Sequence, residues 1–214
     1  MTKLARNFYA RDAATVAREL IGTILVRGDK RGRIVETEAY VGAHDLACHA
    51  AKGRTRRTEV MFGPAGHAYV YFIYGMHDML NIVTGPVGDA QAVLVRAAEP
   101  LEGWAADLSG PGKLARAFDI KVKRDNGLDL TEKDLFILHD PRARPTIRIT
   151  PRIGVAYARQ WQHEPLRFID ANSPHVSGPR ALRGLVPLEN PRRTGKPTTS
   201  AARRQRAGQM PKPQ

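Results

Sequence analysis

The stretch GTILVRGDKRGRIVETEAYV, residues 22–41, contains the pattern that decides the fold. Two runs rich in β-branched and aliphatic residues, Thr23–Arg27 and Arg33–Val41, lie on either side of Gly28-Asp29-Lys30. Such runs around a short turn that contains glycine predict an antiparallel β-hairpin. We therefore expect the chain to build its sheet from hairpins near its start.

A second hairpin is predicted by HAYVYFIYGMHDMLNIV, residues 67–83, in which two sets of side chains alternate up to a turn at Gly75. A further strand is expected at Gln91–Arg96. Asp12 is a suitable N-cap for a short helix that ends at Leu20, and a glycine- and proline-rich turn opens a helical run through Phe118. Because the strands come early and no βαβ rhythm is present, the sequence predicts an α+β domain.

Composition excludes several classes of protein. Hydrophobic residues make up 42% and charged residues 26% of the 214 residues, values typical of a globular domain. No apolar run reaches the roughly 18–20 residues that span a bilayer, and the first residues contain no apolar signal core. The single cysteine, Cys48, excludes an intrachain disulfide and a zinc site with several cysteines. A reducing cytoplasm is therefore the expected compartment.

The net charge of +13 is the unusual feature of the composition. Residues 179–214 hold nine basic residues and one acidic residue, and they are also rich in proline and glycine. We expect this segment to be a disordered basic tail that follows a folded domain of residues 1–178. The charge favours an anionic partner, with nucleic acid ahead of a membrane, although the tail could also serve solubility alone.

The segment IVETEAY, residues 34–40, has the side chains best suited to catalysis. Alternate residues of a strand share a face, so Glu36, Glu38 and Tyr40 should point the same way. A carboxylate beside an aromatic ring on a rigid strand is suited to act as a general base. From spacing alone, however, an exposed edge strand with two solvated glutamates is the likelier interpretation.

Two further clusters stand out. His44, Cys48 and His49 match no standard zinc spacing, so no metal is predicted, and Lys52–Arg57 is a compact cationic loop that suits either solvent or a phosphate backbone. Tyr74 lies beside the predicted turn, where side chains are normally exposed. An exposed aromatic ring there, on a basic protein, is a candidate wedge between stacked bases.

The chain resembles the alkyladenine (3-methyladenine) DNA glycosylases over about residues 6–178. The motifs that carry the resemblance are IVETEAYVG (34–42), HAYVYFIYGMHDMLNIV (67–83), VLVRAAEPLEG (93–103), SGPGKLARAF (109–118), TPRIGVAYA (150–158) and LRF (166–168). The resemblance implies one compact α+β domain around a curved, mainly antiparallel sheet with a protruding β-hairpin. It also implies a monofunctional enzyme without metal or organic cofactor, active as a monomer, which excises alkylated or deaminated purines from duplex DNA.

The resemblance assigns roles by position. Glu38 matches the general base that activates the attacking water, and Arg96 matches an arginine near that water and the DNA backbone. The residues matched to the base pocket are Tyr40, His49, Tyr71 and Asn81, and the residue matched to the intercalating hairpin tyrosine is Tyr74. His77-Asp78 replaces more apolar residues expected after the turn, and Gly53–Arg57 shortens a variable loop.

Two other functions are open from the residues themselves. Glu36 and Glu38 could act as the acid and nucleophile of a carbohydrate hydrolase, because their expected spacing is close to that of paired catalytic carboxylates. Alternatively, the tail and the Lys52–Arg57 loop could serve a non-catalytic nucleic-acid-binding module.

Overall fold

The computed structural model describes residues 1–132 and 134–178. The predicted basic tail at 179–214 lies outside the described residues, so its disorder stays a prediction. The strands are β1 (Thr2–Lys3), β2 (Ile24–Arg27), β3 (Lys30–Tyr40), β4 (Ala68–Ile73), β5 (His77–Thr84), β6 (Gln91–Pro100), β7 (Phe136–His139), β8 (Ile147–Thr150) and β9 (Arg167–Asp170). The α-helices are α1 (Arg6–Tyr9), α2 (Ala13–Leu20), α3 (Pro111–Ala117) and α4 (Val122–Asp125), and short 3₁₀ turns occupy His49–Lys52, Glu59–Phe62 and Arg159–Gln162.

All nine strands belong to one curved antiparallel sheet, in which β1, β7, β2, β3, β6, β5 and β4 follow one another. The predicted α+β class, with a single compact domain, is confirmed. The first hairpin is also confirmed, with β2 and β3 paired from Arg27 and Lys30 at the turn. Strand β3 is the centre of the sheet, because it pairs with β6 over most of its length and with β9 from Glu36 to Glu38.

The predicted helices are present and cover the sheet. Asp12 caps α2 by accepting a hydrogen bond from the Thr15 amide, and Val16 and Leu20 are buried as expected from their spacing. The Thr37 hydroxyl donates to the Ala17 carbonyl at 2.8 Å, which fixes α2 on one face of β3. Since alternate residues face opposite sides, this contact leaves Glu36 and Glu38 on the other face.

Strands β4 and β5 pair antiparallel up to Ile73 and His77 around a tight turn. Tyr74 and Gly75 occupy the left-handed region of backbone space, with φ values of 55° and 68°. For tyrosine this conformation costs about 1–2 kcal/mol. The Tyr74 side chain is 79% exposed. Protrusion of this hairpin from the domain surface stays a prediction.

None of the helices in the described part of the chain is long and apolar enough to cross a membrane.

Candidate active site

A cavity of about 240 Å³ lies where the central strands meet the loops that follow β3, β4 and β8. Of the seven residues matched by the resemblance, six line this cavity: Tyr40, His49, Tyr71, Tyr74, Asn81 and Arg96. Glu38, the seventh, lies behind the wall and bonds to three lining residues. Residues that are far apart in the sequence are therefore brought to one site by the sheet.

Glu38 is completely buried and is held by three donors. Its Oε1 accepts a hydrogen bond from the Ile153 amide at 2.7 Å, and its Oε2 accepts from the Tyr40 hydroxyl at 3.0 Å and from Arg96 Nη1 at 3.3 Å. This set of donors suits an ionised carboxylate and fixes its orientation toward the cavity wall.

The interpretation of β3 as an exposed edge with two solvated glutamates is wrong. Glu36 and Glu38 are both fully buried, because β3 has a hydrogen-bonded neighbour on each side at this level. The prediction that they share a face is confirmed, since Arg96 contacts both carboxylates.

Glu36 is occupied by structural contacts. Its carboxylate accepts hydrogen bonds from Arg96 Nε at 2.9 Å and Arg167 Nε at 2.6 Å, and from the amide and hydroxyl of Ser177 at 2.6 and 2.9 Å. A carboxylate that is fully buried and held by four donors is not accessible to a sugar. The arrangement therefore argues against a carbohydrate hydrolase that uses Glu36 with Glu38 as its acid and nucleophile.

Three aromatic rings form one side of the cavity. The His49 and Tyr71 rings meet edge to face with centroids 4.5 Å apart, and His49 Nδ1 hydrogen-bonds the Tyr69 hydroxyl at 2.9 Å. Burial raises the pKa of Tyr71 and raises that of Tyr69 to about 12, so both phenols stay neutral. The rings offer flat, uncharged surfaces on which a planar ligand can stack.

Burial, together with the positive charges of Arg57 and Lys52, lowers the pKa of His49 to about 4. An unfolded histidine has a pKa near 6.5. Between these values the unfolded chain binds a proton at His49 that the folded chain does not. The contribution of neutral His49 to the free energy of unfolding is therefore complete above pH 6.5 and is lost as the pH falls toward 4.

We therefore expect His49→Gln to flatten the pH dependence of stability. Glutamine can still hydrogen-bond Tyr69 but does not titrate. Between pH 7 and pH 4.5 the free energy of unfolding should fall by on the order of 2 kcal/mol more in the unmodified protein than in the variant. Urea unfolding at the two pH values measures this difference, and an equal fall in the two proteins would refute the assignment.

Tyr40 also lines the cavity, and its ring is supported by Arg152. The Arg152 guanidinium lies 4.8 Å from the centre of the Tyr40 ring. It is itself buried, donates to the Ala39 carbonyl at 2.9 Å, and forms a two-bond ion pair with Asp45 at 2.5 and 2.9 Å. Burial, followed by the charge of Glu38, raises the pKa of Tyr40, which keeps its hydroxyl a donor.

Asn81 and Tyr74 complete the predicted set. The buried Asn81 amide donates to the Tyr69 carbonyl at 3.1 Å, across the β4–β5 pair, while Tyr74 stands at the mouth of the cavity. Sequence reasoning missed Tyr157, which also lines the mouth and is 69% exposed. It missed the pairing of Asp45 with Arg152 too, although Arg152 lies within the TPRIGVAYA motif.

Across the described ranges, no group of three or more histidine, cysteine, aspartate or glutamate side chains is placed to share a metal ion.

Comparison with known proteins identifies the family to which the chain belongs. The sequence profile of Methylpurine-DNA glycosylase (MPG) matches residues 7–174, most of the described chain. The chain belongs to the methylpurine-DNA glycosylase family. It is therefore a DNA glycosylase, a hydrolase of N-glycosidic bonds that works in DNA repair.

Bacterial relatives are similar to this glycosylase over nearly their whole length. A protein of Legionella pneumophila strain Paris is 50% identical over 183 residues, which cover 83% of this chain and 99% of the relative. One from Anaeromyxobacter strain Fw109-5 is 50% identical over 85% of this chain and 98% of its own, and one from Myxococcus xanthus is 52% identical over 83% and 94%. All three carry the name "Putative 3-methyladenine DNA glycosylase".

Proposed function

We propose that this glycosylase excises alkylated and deaminated purines, of the 3-methyladenine, 7-methylguanine, hypoxanthine and etheno-adenine class, from duplex DNA. The observation that carries the proposal is a fully buried carboxylate, Glu38, directly behind a cavity walled by Tyr40, His49 and Tyr71. The volume of about 240 Å³ lies just below the range for drug-sized ligands, which suits a single base.

The first step is extrusion of the damaged nucleotide. A base inside the duplex hides its glycosidic bond, so the enzyme must flip it at a cost of a few kcal/mol. Damaged bases stack and pair less well, which lowers this cost for them. Tyr74, exposed at the turn, is suited to fill the gap left in the stack. In the cavity, the base stacks between Tyr40 on one side and the His49–Tyr71 pair on the other.

The second step is cleavage by water. Glu38 orients a water molecule and takes its proton as the oxygen bonds to C1′. The C1′–N9 bond breaks, and its electron pair leaves with the purine. The ionised carboxylate also stabilises the positive charge that develops on the sugar. Arg96, which hydrogen-bonds both Glu36 and Glu38, holds Glu38 in place for this step.

The resemblance pairs no lysine of this chain with a covalent nucleophile, so we propose a monofunctional enzyme that leaves an intact abasic site. The partner is double-stranded DNA that contains damaged purines. We propose that the protein acts on it as a monomer, in the cytoplasm with the nucleoid.

A panel of duplexes, each with one of the four lesions, tests the proposal. The expected result is free purine and an abasic site with at least one lesion and none with undamaged DNA. Ordinary affinity for DNA without base release would instead support a non-catalytic nucleic-acid-binding module.

Replacement of Tyr74 tests the wedge. Tyr74→Asn removes the ring but keeps a residue that tolerates positive φ, so the turn should survive. We expect the flipping equilibrium to fall by about 10-fold, corresponding to a loss of about 1.4 kcal/mol of stacking. Fluorescence of 2-aminopurine beside the lesion reports flipping. A signal identical to that of the unmodified enzyme would contradict the role, and exposed Val87→Asn serves as the control for a lost apolar side chain.

A further inference from the structure

Arg57 is a cation beside Tyr71, one of the residues that line the cavity, and no carboxylate balances it in the described part of the chain. Its guanidinium lies 5.4 Å from the centre of the Tyr71 ring, and its side chain is otherwise exposed. The other two arginines of the site are neutralised, because Arg96 pairs with Glu36 and Glu38 and Arg152 pairs with Asp45. Arg57 therefore supplies the uncompensated positive charge beside the stacking surface.

The charge of Arg57 reaches the side chains that line the cavity. Arg57 opposes protonation of His49, whose ring touches that of Tyr71. A base stacked on Tyr71 would lie in the same field. Lys52 adds to this field at His49 and likewise has no acidic partner among residues 1–132 and 134–178.

An aromatic ring attracts a cation through the negative potential of its face. The Arg57 guanidinium already interacts with the negative potential of the Tyr71 ring, and it repels a second positive charge placed on that ring. Purines methylated at N3 or N7 are cationic in DNA, whereas deaminated purines are neutral. Without Arg57, the aromatic rings of the cavity would favour cationic purines over neutral purines. Arg57 reduces that preference.

We propose that Arg57 sets the substrate charge preference of this glycosylase, biasing the cavity toward neutral purines such as hypoxanthine and against cationic N-alkylpurines. This inference rests on the proposed function. Because the loop that carries Arg57 is exposed, the residue can change without loss of the catalytic groups.

Bond cleavage shifts the preference in the same direction. As the C1′–N9 bond breaks, its electron pair moves to the purine, the water oxygen bonds to C1′ and the water proton passes to Glu38. A neutral purine thereby becomes anionic before it takes up a proton from solvent, and a nearby positive charge stabilises it. A cationic purine becomes neutral and gains no such stabilisation.

The test compares Arg57→Gln with the unmodified enzyme on two duplexes that differ only in the lesion, hypoxanthine or 7-methylguanine. The value of kcat/KM for base release is measured on each duplex. We expect the ratio of kcat/KM on hypoxanthine to kcat/KM on 7-methylguanine to fall by about two- to five-fold, the range of an exposed cation–π contact. Arg57→Lys keeps the charge and should retain most of the ratio.

Arg56→Gln is the matched control, since Arg56 is an exposed neighbour with the same charge and with no described contact to the cavity rings. It should weaken DNA binding on both duplexes and leave the ratio unchanged. An unchanged or increased ratio in Arg57→Gln, or an equal loss on both lesions as expected for a simple phosphate contact, would overturn the inference alone. If the unmodified enzyme released neither of these bases nor any other lesion of the panel, the proposed function would fall as well.

Discussion

Glu38→Gln should bind a lesion-bearing duplex as tightly as the unmodified enzyme and lose excision by about 10²–10⁴-fold, the usual contribution of a general base. Glutamine is nearly isosteric and can still accept the hydrogen bond from the Ile153 amide. It cannot take a proton from water. Arg96 keeps its second partner, Glu36, so the site should stay folded.

Single-turnover release of hypoxanthine, together with a gel-shift titration, separates chemistry from binding. Glu36→Gln is the matched control, because it removes the same charge from the same buried network. This control should lower stability, since Arg167 and Arg96 lose the negative charge that they share, and should retain far more excision than Glu38→Gln. Full activity of Glu38→Gln would disprove the general-base role.

Arg152→Met should lower the free energy of unfolding by about 3–5 kcal/mol, because it leaves the Asp45 carboxylate buried without its partner. The substitution also removes the support behind the Tyr40 ring. The double variant Asp45→Asn, Arg152→Met removes both charges and should recover much of the lost stability. Urea unfolding of the two single variants and the double variant gives the coupling energy.

Arg54→Met provides the comparison, because Arg54 forms an ion pair with Glu59 at the exposed surface. Its free energy of unfolding should stay close to that of the unmodified protein. If Arg152→Met were as mild as Arg54→Met, the buried pair would not be the support that its geometry indicates. A destabilised Arg152→Met that still folds should also excise poorly, since the Tyr40 ring then loses the support of the guanidinium.

Local sequence patterns predicted the elements that interactions between residues close in sequence specify. The hairpin of β2 and β3, the Asp12 cap and the buried side of α2 each depend on residues within one short window. Strands β7, β8 and β9 were missed because long-range pairing specifies them, whereas β2, which is equally short, lies beside a recognisable turn. The wrong interpretation of β3 as an edge has the same origin, since one strand does not reveal its neighbours.

The candidate site depends even more than the fold does on contacts between residues that are distant in the sequence. The alternation in β3 placed Glu36 and Glu38 on one face, but the residue that shares them, Arg96, lies about 60 positions away. The partner of Asp45 is separated from it by 107 positions. Resemblance to a family supplied the seven site residues, six of which line one cavity, and their individual roles stay predictions.

Crystallography of Glu38→Gln bound to a duplex with one hypoxanthine is the most direct test. We expect the hypoxanthine outside the duplex, between Tyr40 and Tyr71, with Tyr74 in the vacated stack and a water molecule between the substituted side chain at position 38 and C1′. A hypoxanthine that stays stacked in the duplex, or that binds outside this cavity with residue 38 far from its sugar, would contradict the mechanism.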